Sequence, residues 1–345
     1  SSSLPVTARR PLGSTDIQVP PIIFGTSALG NLYQALDYHA KLEIARAWFD
    51  AVESPVALDS AGKYGAGLAL ETIGNTLRDL GKQPDDVIIS NKLGWRRVPL
   101  TTEEPQFEPG VWKGISHDAE LAIGYDGILR CFEQGNTLLG SPFSADLVSV
   151  HDPDEYVSVD RAARMRDVAD AYRALSEIKA AGRAKAIGIG AKDWTVIRDL
   201  ADTVHLDWVM LACSLTVYRH DPELVSFMES LSARGIGIIN SAVFNAGFLI
   251  GGPYFNYELV TPTERPELFE FRRRFLDLCH DYSVDPAAAC IEFGLSGPGV
   301  CAVALNTSKA SRVCQNARAV MAEAPPEFWV ALKQAGLIRH EYPYV

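Results

Sequence analysis

The stretch Leu58 to Gly74, L-D-S-A-G-K-Y-G-A-G-L-A-L-E-T-I-G, contains the spacing that decides the fold of this 345-residue chain. Asp59 closes a short apolar run, and Tyr64 follows five residues later in a loop rich in glycine. Apolar residues then recur at helical spacing over 70–80, so the stretch predicts a strand, a tight loop and a helix. In a β/α barrel, Asp59 and Tyr64 would lie at the carboxyl end of a strand, where the catalytic face forms.

Eight such strand-then-helix units follow one another, which is the order of a (β/α)8 barrel. We therefore predict a single α/β domain over 1–345, a (β/α)8 TIM barrel with an N-terminal hairpin at 10–19 and an extra C-terminal helix at 327–335. A doubly wound sheet, the alternative fold, would need a G-x-G-x-x-G turn after the first strand, where residues 25–30 read G-T-S-A-L-G. The eight strands are predicted at 22–26, 56–59, 87–92, 145–151, 184–190, 207–215, 235–240 and 300–305.

Composition restricts the partners and the compartment. The net charge of −11 argues against nucleic acid or an anionic membrane surface as the main partner, but a nucleotide cofactor needs only a local cationic pocket. No apolar run approaches the ~18 residues of a membrane span, and residues 1–5 have no apolar signal core. We expect a cytoplasmic protein with reduced thiols, because no C-x-x-C pair or metal-like spacing occurs among Cys131, Cys213, Cys279, Cys290, Cys301 and Cys314.

Two further polar residues end predicted strands, Lys92 after the third and His151 after the fourth. The D-[ST]-A-x-x-Y-G spacing resembles the signature of the aldo-keto reductase superfamily, and Asp59, Tyr64, Lys92 and His151 stand at the positions of that family's catalytic tetrad. The resemblance covers nearly the whole chain. It implies an NAD(P)-dependent oxidoreductase that transfers hydride between a nicotinamide and a small carbonyl or alcohol substrate.

The chemistry of the tetrad follows from its residue types. Free tyrosine has a pKa near ~10, and a cationic Lys92 nearby should lower the pKa of Tyr64. Asp59 should keep Lys92 charged and oriented, and His151 should hydrogen-bond the substrate oxygen. In oxidation the phenol removes the hydroxyl proton while hydride leaves for the nicotinamide, and in reduction it donates the proton.

The stretch His151-Asp152-Pro153-Asp154 has a second interpretation, as half of a metal site. We find no third ligand at a convincing spacing, so we predict no metal.

Residues 306–316, N-T-S-K-A-S-R-V-C-Q-N, follow the last strand and open a helix. A helix N-terminus with two cations is a natural phosphate site. The stretch resembles the family's adenosine-phosphate loop, although ordinary capping would explain it without the tetrad. The resemblance implies cofactor contacts by Asn306, Thr307, Ser308, Lys309, Arg312, Gln315 and Asn316.

The loop 241–247 resembles the family's loop that wraps the pyrophosphate, and turn chemistry is again the alternative. The cofactor contacts predicted outside 306–316 are Gly25 and Thr26 after the first strand, and Ser241, Phe244, Asn245 and Gly247 in this loop. Asn306 stands where NADP-preferring members often have Lys, so we expect both NADP and NAD to bind, with NAD at least usable.

The segment from about 93 to 123 shows no clear period and contains three prolines. Loops of this length in a compact domain are usually functional or disordered. Its aromatic residues favour an ordered long loop over the active site, with Trp95 and Trp112 as substrate-binding residues, since aromatic faces suit the C–H face of a sugar ring.

The family usually has a Ser-Asn pair after the fifth strand to hold the nicotinamide amide, and this chain has Gly190-Ala191-Lys192 instead. Together with the H-D-P-D stretch at 151–154, this looks like the branch of aldose (L-fucose and D-threo-aldose) 1-dehydrogenases, which has Asn at position 192. The resemblance implies oxidation of an aldose anomeric hydroxyl to a lactone. A carbonyl reductase or pyridoxal-type dehydrogenase is the alternative enzyme, and a nucleotide-binding regulatory subunit is the alternative without turnover.

Overall fold

The structure, a computed structural model, describes residues 4–345, so the N-terminal stretch expected to lack a signal core lies partly outside it. No helix in this range is long and apolar enough to cross a bilayer. In chain order the strands are β1 Arg10–Pro11, β2 Gln18–Val19, β3 Ile22–Gly25, β4 Val56–Ala61, β5 Val87–Leu93, β6 Trp95–Pro99, β7 His117–Leu121, β8 Leu147–Val150, β9 Ala186–Ala191, β10 Trp208–Ala212, β11 Gly237–Ser241, β12 Tyr254–Phe255, β13 Glu258–Leu259 and β14 Val300–Asn306.

The helices alternate with the barrel strands, apart from a short helix before α5, a second helix before β14 and an extra helix at the C-terminus. They are α1 Tyr38–Ala51, α2 Leu68–Asp79, α3 Tyr125–Leu139, α4 Pro153–Val157, α5 Arg161–Ala180, α6 Trp194–Ala201, α7 Pro222–Ala233, α8 Pro266–Asp281, α9 Pro286–Ser296, α10 Ala310–Val320 and α11 Pro326–Gln334. Several begin where the sequence supplies a start signal: Asp37 accepts the amide of Ala40 at 2.8 Å, and α7, α8 and α9 begin with proline.

Eight parallel strands close the barrel in the order β3, β4, β5, β8, β9, β10, β11 and β14, and β14 pairs back onto β3. The predicted (β/α)8 TIM barrel is therefore confirmed, with β1 and β2 as its N-terminal hairpin and α11 as its extra C-terminal helix. Leu12 and Val19 of that hairpin pack with inward-facing strand residues such as Ile23 and Ile239. The hairpin thus closes the barrel end opposite the carboxyl ends of the strands.

The prediction that 93–123 is a loop without regular structure is wrong at both of its ends. β6 pairs with β7 in an antiparallel hairpin, with Trp95 opposite Leu121 and Pro99 opposite His117. Both strands are short and partly exposed, so they lack the alternation that marks a half-buried strand. Only residues 100–116 connect them as a long loop, which we call the lid.

The acid at position 59 is also placed differently from the prediction. Strand β4 continues to Ala61, because Ser60 and Ala61 still pair with Asn91 and Lys92 of β5. Asp59 therefore points into the barrel from within a strand, and the tight loop begins two residues later than predicted.

Trp208 fills much of the barrel interior, and Gly188 makes room for it. The two residues are partners in the β9–β10 register, and the indole is 1% exposed. A Cβ at Gly188 would lie 2.0 Å from the indole ring, so any side chain there displaces the tryptophan.

We predict that Gly188→Ala destabilises the fold by about 1–3 kcal/mol, as overpacking of a filled core does. The matched control is Gly190→Ala on the same strand, whose added methyl would meet Met210 Cβ at an ordinary 3.5 Å. Denaturant-induced unfolding of both variants measures the free energies. Equal unfolding midpoints for the two variants would contradict the packing described for Trp208.

Candidate active site

The four side chains predicted as a tetrad come together at the carboxyl end of the barrel. Lys92 Nζ donates a hydrogen bond to Asp59 Oδ2 at 2.9 Å and another to the Tyr64 hydroxyl. The His151 ring stands edge-on to the Tyr64 ring, with centroids 5.8 Å apart. Asp59 and His151 are 5% and 6% exposed, so the cluster is shielded from bulk water.

Strand register and one tight loop produce this arrangement. Strands β4, β5 and β8 are neighbours, and their inward-facing positions carry Asp59 and Lys92, with His151 directly after β8. The amide of Tyr64 donates to Ala61 O at 3.1 Å, and its carbonyl accepts from the amide of Ala69 at 3.2 Å. The phenol is therefore held between the end of β4 and the first turn of α2.

Burial determines the protonation of Tyr64. Loss of solvation raises the pKa of Tyr64 to about 12, and Lys92 offsets this only in part while Asp59 adds to it. The expectation of a lowered pKa is therefore wrong, because it considered the cation and neglected burial. For Lys92, burial acts against the charge, but Asp59 and Tyr64 outweigh it and raise the pKa of the ammonium.

His151 is a buried neutral imidazole. Burial, together with the positive charges of Lys92 and Lys63, holds the pKa of His151 well below its usual value of 6.5. Its Nε2 lies 3.5 Å from Asp152 Oδ2, and its Nδ1 has no hydrogen-bond partner among residues 4–345. A neutral imidazole beside the phenol can offer a hydrogen bond to a ligand oxygen without adding a second cation next to Lys92.

The lid is an ordered wall of the site. Trp112 is 6% exposed, and its ring centroid lies 5.7 Å from that of Tyr64, whereas Trp95 packs one layer further out against Phe107. The amide of Tyr33 donates to Val111 O at 2.8 Å. Of the two predicted substrate tryptophans, Trp112 thus contacts the tetrad directly.

Further hydrogen bonds fix the lid to the barrel. The amide of Lys113 donates to Asn31 O at 3.0 Å, and the Asn31 side chain donates to Lys113 O at 2.8 Å. Asp118 accepts the amides of Gln106 at 2.9 Å and Phe107 at 3.2 Å. The lid is therefore fastened at two places, at 111–113 to the loop after β3 and at 106–107 to the carboxylate of Asp118.

The H-D-P-D stretch holds the loop after β9. Asp154 Oδ2 accepts the backbone amides of Lys192 at 3.2 Å and Asp193 at 3.0 Å. Ser214 Oγ donates to Lys192 O at 3.1 Å, and Lys192 Nζ lies 2.8 Å from Glu155 Oε1. Asp154 thus positions the loop that follows the fifth barrel strand, and no group of three metal-ligating side chains is found among the described residues.

Sequence analysis missed Tyr257, which overhangs the site from the turn between β12 and β13. Lys192 Nζ lies 5.3 Å from the centroid of the Tyr257 ring, and the backbone there has a left-handed φ of 72°. The pKa of the Tyr257 hydroxyl is raised, mainly by burial and to a smaller extent by the nearby Cys213 and Tyr64. The residue as a whole is half exposed, so its ring rather than its hydroxyl faces solvent. No local pattern marks this tyrosine, because its neighbours come from distant strands.

The loop after β14 fits an anionic cofactor. Helix α10 begins at Ala310 without a side-chain cap. The amide of Arg312 donates to Lys309 O at 3.1 Å, which, within the part of the chain described, leaves the amides of Ala310 and Ser311 to an anion. Lys309 and Arg312 are exposed, and neither forms an ion pair within the part of the chain described. The Asn306 side chain covers Gly25, where a Cβ would lie 1.3 Å from Asn306 Oδ1, so only glycine permits this close approach.

The remaining residues predicted from this loop differ in exposure. Asn316 is buried at 7% exposure on the inner side of α10. Thr307 Oγ1 accepts the amide of Lys309 at 3.1 Å, whereas Ser308 and Gln315 are exposed. Exposed polar groups around a free helix N-terminus are compatible with phosphate binding.

The loop 241–247 lies beside this region, since β11 pairs with β14. Left-handed φ values occur at Ala242, Asn245, Ala246 and Gly247, and such backbone strain concentrates at ligand-binding sites. Asn245 is fully buried with an unpartnered Oδ1, and its Nδ2 donates to Asn256 Oδ1 at 2.9 Å.

Besides Thr307 and Asn245, two more of the predicted cofactor residues have side-chain partners within the protein. Ser241 Oγ donates to Leu211 O at 2.9 Å, and Thr26 Oγ1 donates to Asp59 O at 2.8 Å. Phe244 is half-buried between two apolar clusters. The Thr26 bond ties β3 to the strand that carries Asp59.

Comparisons with known proteins agree with this geometry. A model of the aldo/keto reductase family matches residues 21–336. Pyridoxal 4-dehydrogenase of Microbacterium luteolum is 29% identical over 97% of this chain and 99% of its own, and D-threo-aldose 1-dehydrogenase of a Pseudomonas species is 27% identical over 93% and 95%. A solved aldo-keto reductase from Bacillus halodurans covers 96% of each chain with a TM-score of 0.67 and 19% identity, a likeness of fold.

We predict that the His151 ring stays neutral at pH values at which an ordinary histidine gains its proton, because its pKa is well below the ordinary 6.5. Ring ¹⁵N NMR shifts measure this, with His151→Gln identifying the resonance and free imidazole as the reference. A normal titration of His151 would contradict the burial and the two-cation environment described above.

Proposed function

The chain belongs to the aldo/keto reductase family and is an NAD(P)-dependent oxidoreductase, and within this family we propose that it is a sugar 1-dehydrogenase. The reaction would oxidise the anomeric hydroxyl of an aldose to a lactone. The observation that carries the proposal is the contact of Lys92 with both Asp59 and Tyr64, with His151 at the edge of the phenol and Trp112 beside it.

A bound nicotinamide would supply the hydride acceptor for oxidation at the anomeric carbon and the hydride donor for reduction. The proton of the substrate hydroxyl would go to Tyr64, whose hydroxyl accepts a hydrogen bond from Lys92. Because the pKa of Tyr64 is raised to about 12, the phenol is the resting form and serves directly as the acid in reduction. Oxidation requires its phenolate, so the oxidation rate should increase with pH.

His151 would hold the substrate oxygen in place for this proton transfer. As a neutral imidazole it can donate one hydrogen bond to that oxygen without placing a second cation next to Lys92. The indole of Trp112 is tilted by 33° against the ring of Tyr64, with centroids 5.7 Å apart, and would border the C–H face of a sugar ring at the phenol.

The two curated relatives act on compounds with a common chemistry. Pyridoxal and threo-aldoses are hydroxyaldehydes that can close to cyclic hemiacetals, whose oxidation yields lactones. Pyridoxal-type dehydrogenation is therefore our second candidate, favoured by the 29% identity to pyridoxal 4-dehydrogenase. A panel of aldoses together with pyridoxal, each with NAD and with NADP, tests both candidates by the absorbance of the reduced nicotinamide. Turnover of neither class by the wild type would overturn the proposal.

We predict that Tyr64→Phe lowers turnover by roughly 10²–10⁴, the range of general acid–base catalysis, because it removes only the proton-transferring oxygen. Cofactor affinity, followed by quenching of protein fluorescence, should barely change. Turnover of this variant within a few-fold of wild type would exclude Tyr64 as the proton-transfer group.

We also propose that both NAD and NADP bind, with Arg312 and Lys309 facing the adenosine end. Arg312→Ala should weaken NADP more than NAD, by roughly the 1.5–3 kcal/mol of a charge-assisted hydrogen bond, because only NADP carries a 2′-phosphate. Arg318→Ala is the control, since Arg318 is an exposed cation in the last turn of the same helix.

Titration of wild type and both variants with each cofactor separates the outcomes. Equal losses for NAD and NADP in Arg312→Ala would show that the guanidinium only stacks on adenine. No loss for either cofactor would remove this loop from the site.

A further inference from the structure

Lys63 and Glu108 form an ion pair in the wall of the site that the proton transfer does not use. Their Nζ and Oε2 atoms are 3.2 Å apart, and the Lys63 side chain is only 10% exposed. Lys63 precedes Tyr64 in the chain, and Glu108 belongs to the lid. The pair therefore connects the catalytic loop to the lid beside the phenol.

The pair lies close to the reacting end of the site. Glu108 Oε1 accepts a hydrogen bond from Trp112 Nε1 at 3.0 Å, and the ring centroid of Trp112 lies 5.7 Å from that of Tyr64. On its other side, Lys63 Nζ lies 5.2 Å from the Trp95 ring centroid. The charge of Lys63 also contributes to the low pKa of His151, so the ammonium is close enough to act on the tetrad.

Stability alone gives a weak reason for this pair. The Lys63 side chain is buried and loses solvation, whereas the Glu108 side chain is 34% exposed and its charge is screened by water, so the net stabilisation of such a pair is small. The lid is already fastened by the backbone bonds of Val111 and Lys113 to the loop after β3. Moreover, Glu108 has a left-handed φ of 41°, a strained conformation that is typical of functional positions.

The hydrogen-bonding inventory of the pair suits hydroxyl groups. An ammonium has three N–H donors, and the contact of Lys63 with Glu108 occupies one of them. Each carboxylate oxygen of Glu108 can accept one more hydrogen bond. Adjacent hydroxyls need both a donor and an acceptor, and two tryptophan faces beside the pair offer an apolar surface to the carbon skeleton. Because the two charges cancel, the pair has no net attraction for an anionic substrate.

We propose that Lys63 and Glu108 are specificity-determining residues that bind the hydroxyl groups next to the reacting carbon, so that the site selects neutral polyhydroxylated substrates over unsubstituted aldehydes. The inference rests on the proposed reaction at Tyr64, and it assigns the substrate class of that site. It also gives the lid a role in recognition in addition to the exclusion of water.

The test compares the reduction of D-glyceraldehyde and propanal, two three-carbon aldehydes that differ in their hydroxyls. The measured quantity is the ratio of their kcat/KM values in wild type, Lys63→Met and Glu108→Gln. Each variant should lower this ratio roughly 10- to 100-fold, the loss expected when a charge-assisted hydrogen bond to the substrate disappears. The fraction of each substrate that is present as free aldehyde is the same for every variant, so it cancels when the ratios are compared.

Lys113→Met is the matched control, since it removes an equal charge from an exposed side chain of the lid, and its ratio should equal that of wild type. An unchanged ratio in Lys63→Met and Glu108→Gln, with both substrates slowed equally, would overturn the inference and make the pair a lid fastener. Reduction of succinate semialdehyde, an anionic aldehyde, is measured with the same variants. A loss of kcat/KM confined to this substrate would also overturn the inference, because Lys63 would then bind a carboxylate.

Failure of the proposed function has a different signature from failure of this inference. Aldose oxidation is assayed on the wild type alone, whereas hydroxyl recognition is assayed by the ratio in aldehyde reduction. If the wild type oxidises no aldose but the two variants still lower the ratio, the sugar 1-dehydrogenase assignment fails and the inference about hydroxyl recognition stands.

Discussion

The buried contact of Lys92 with Asp59 and Tyr64 is the interaction on which the rest of the site depends. A lysine with a side chain 12% exposed keeps its charge because Asp59 Oδ2 lies 2.9 Å away. The contact requires the β4–β5 register, in which Ala61 faces Lys92 and alternate residues point into the barrel. A slip by one residue would turn Lys92 out of the barrel and leave Asp59 without its partner.

Burial affects the titratable residues of the site in different ways, and the result suits hydride chemistry. Burial keeps Tyr64 a neutral phenol and His151 a neutral imidazole. At Lys92, the attraction of Asp59 outweighs the effect of burial, so the ammonium keeps its charge. The cluster therefore contains one matched pair of charges and two neutral hydrogen-bonding groups. A neutral donor beside a fixed cation is a suitable arrangement for moving a proton to or from a carbonyl oxygen.

A second matched pair joins Glu108 of the lid to Lys63 of the loop that carries Tyr64. The position of the lid depends on backbone hydrogen bonds to the loop after β3 and on Asp118, which accepts two lid amides. Tyr257 approaches from the opposite direction and stacks on Lys192. The mouth of the barrel is thus bordered by segments that are far apart in the chain, each of which adds an aromatic ring and a charged partner.

The sequence by itself determined the barrel, the four clustered residues and the free helix N-terminus at α10, because each follows from a local pattern. Strand-then-helix alternation specifies the order of the barrel, and the D-[ST]-A-x-x-Y-G spacing places an acid and a phenol around one strand end. Only the tertiary structure decided the β6–β7 hairpin, the pair of Lys63 with Glu108, the position of Tyr257 and the direction of the Tyr64 pKa shift. Pairing between distant segments and loss of solvation arise from packing, and no short window of sequence contains either of them.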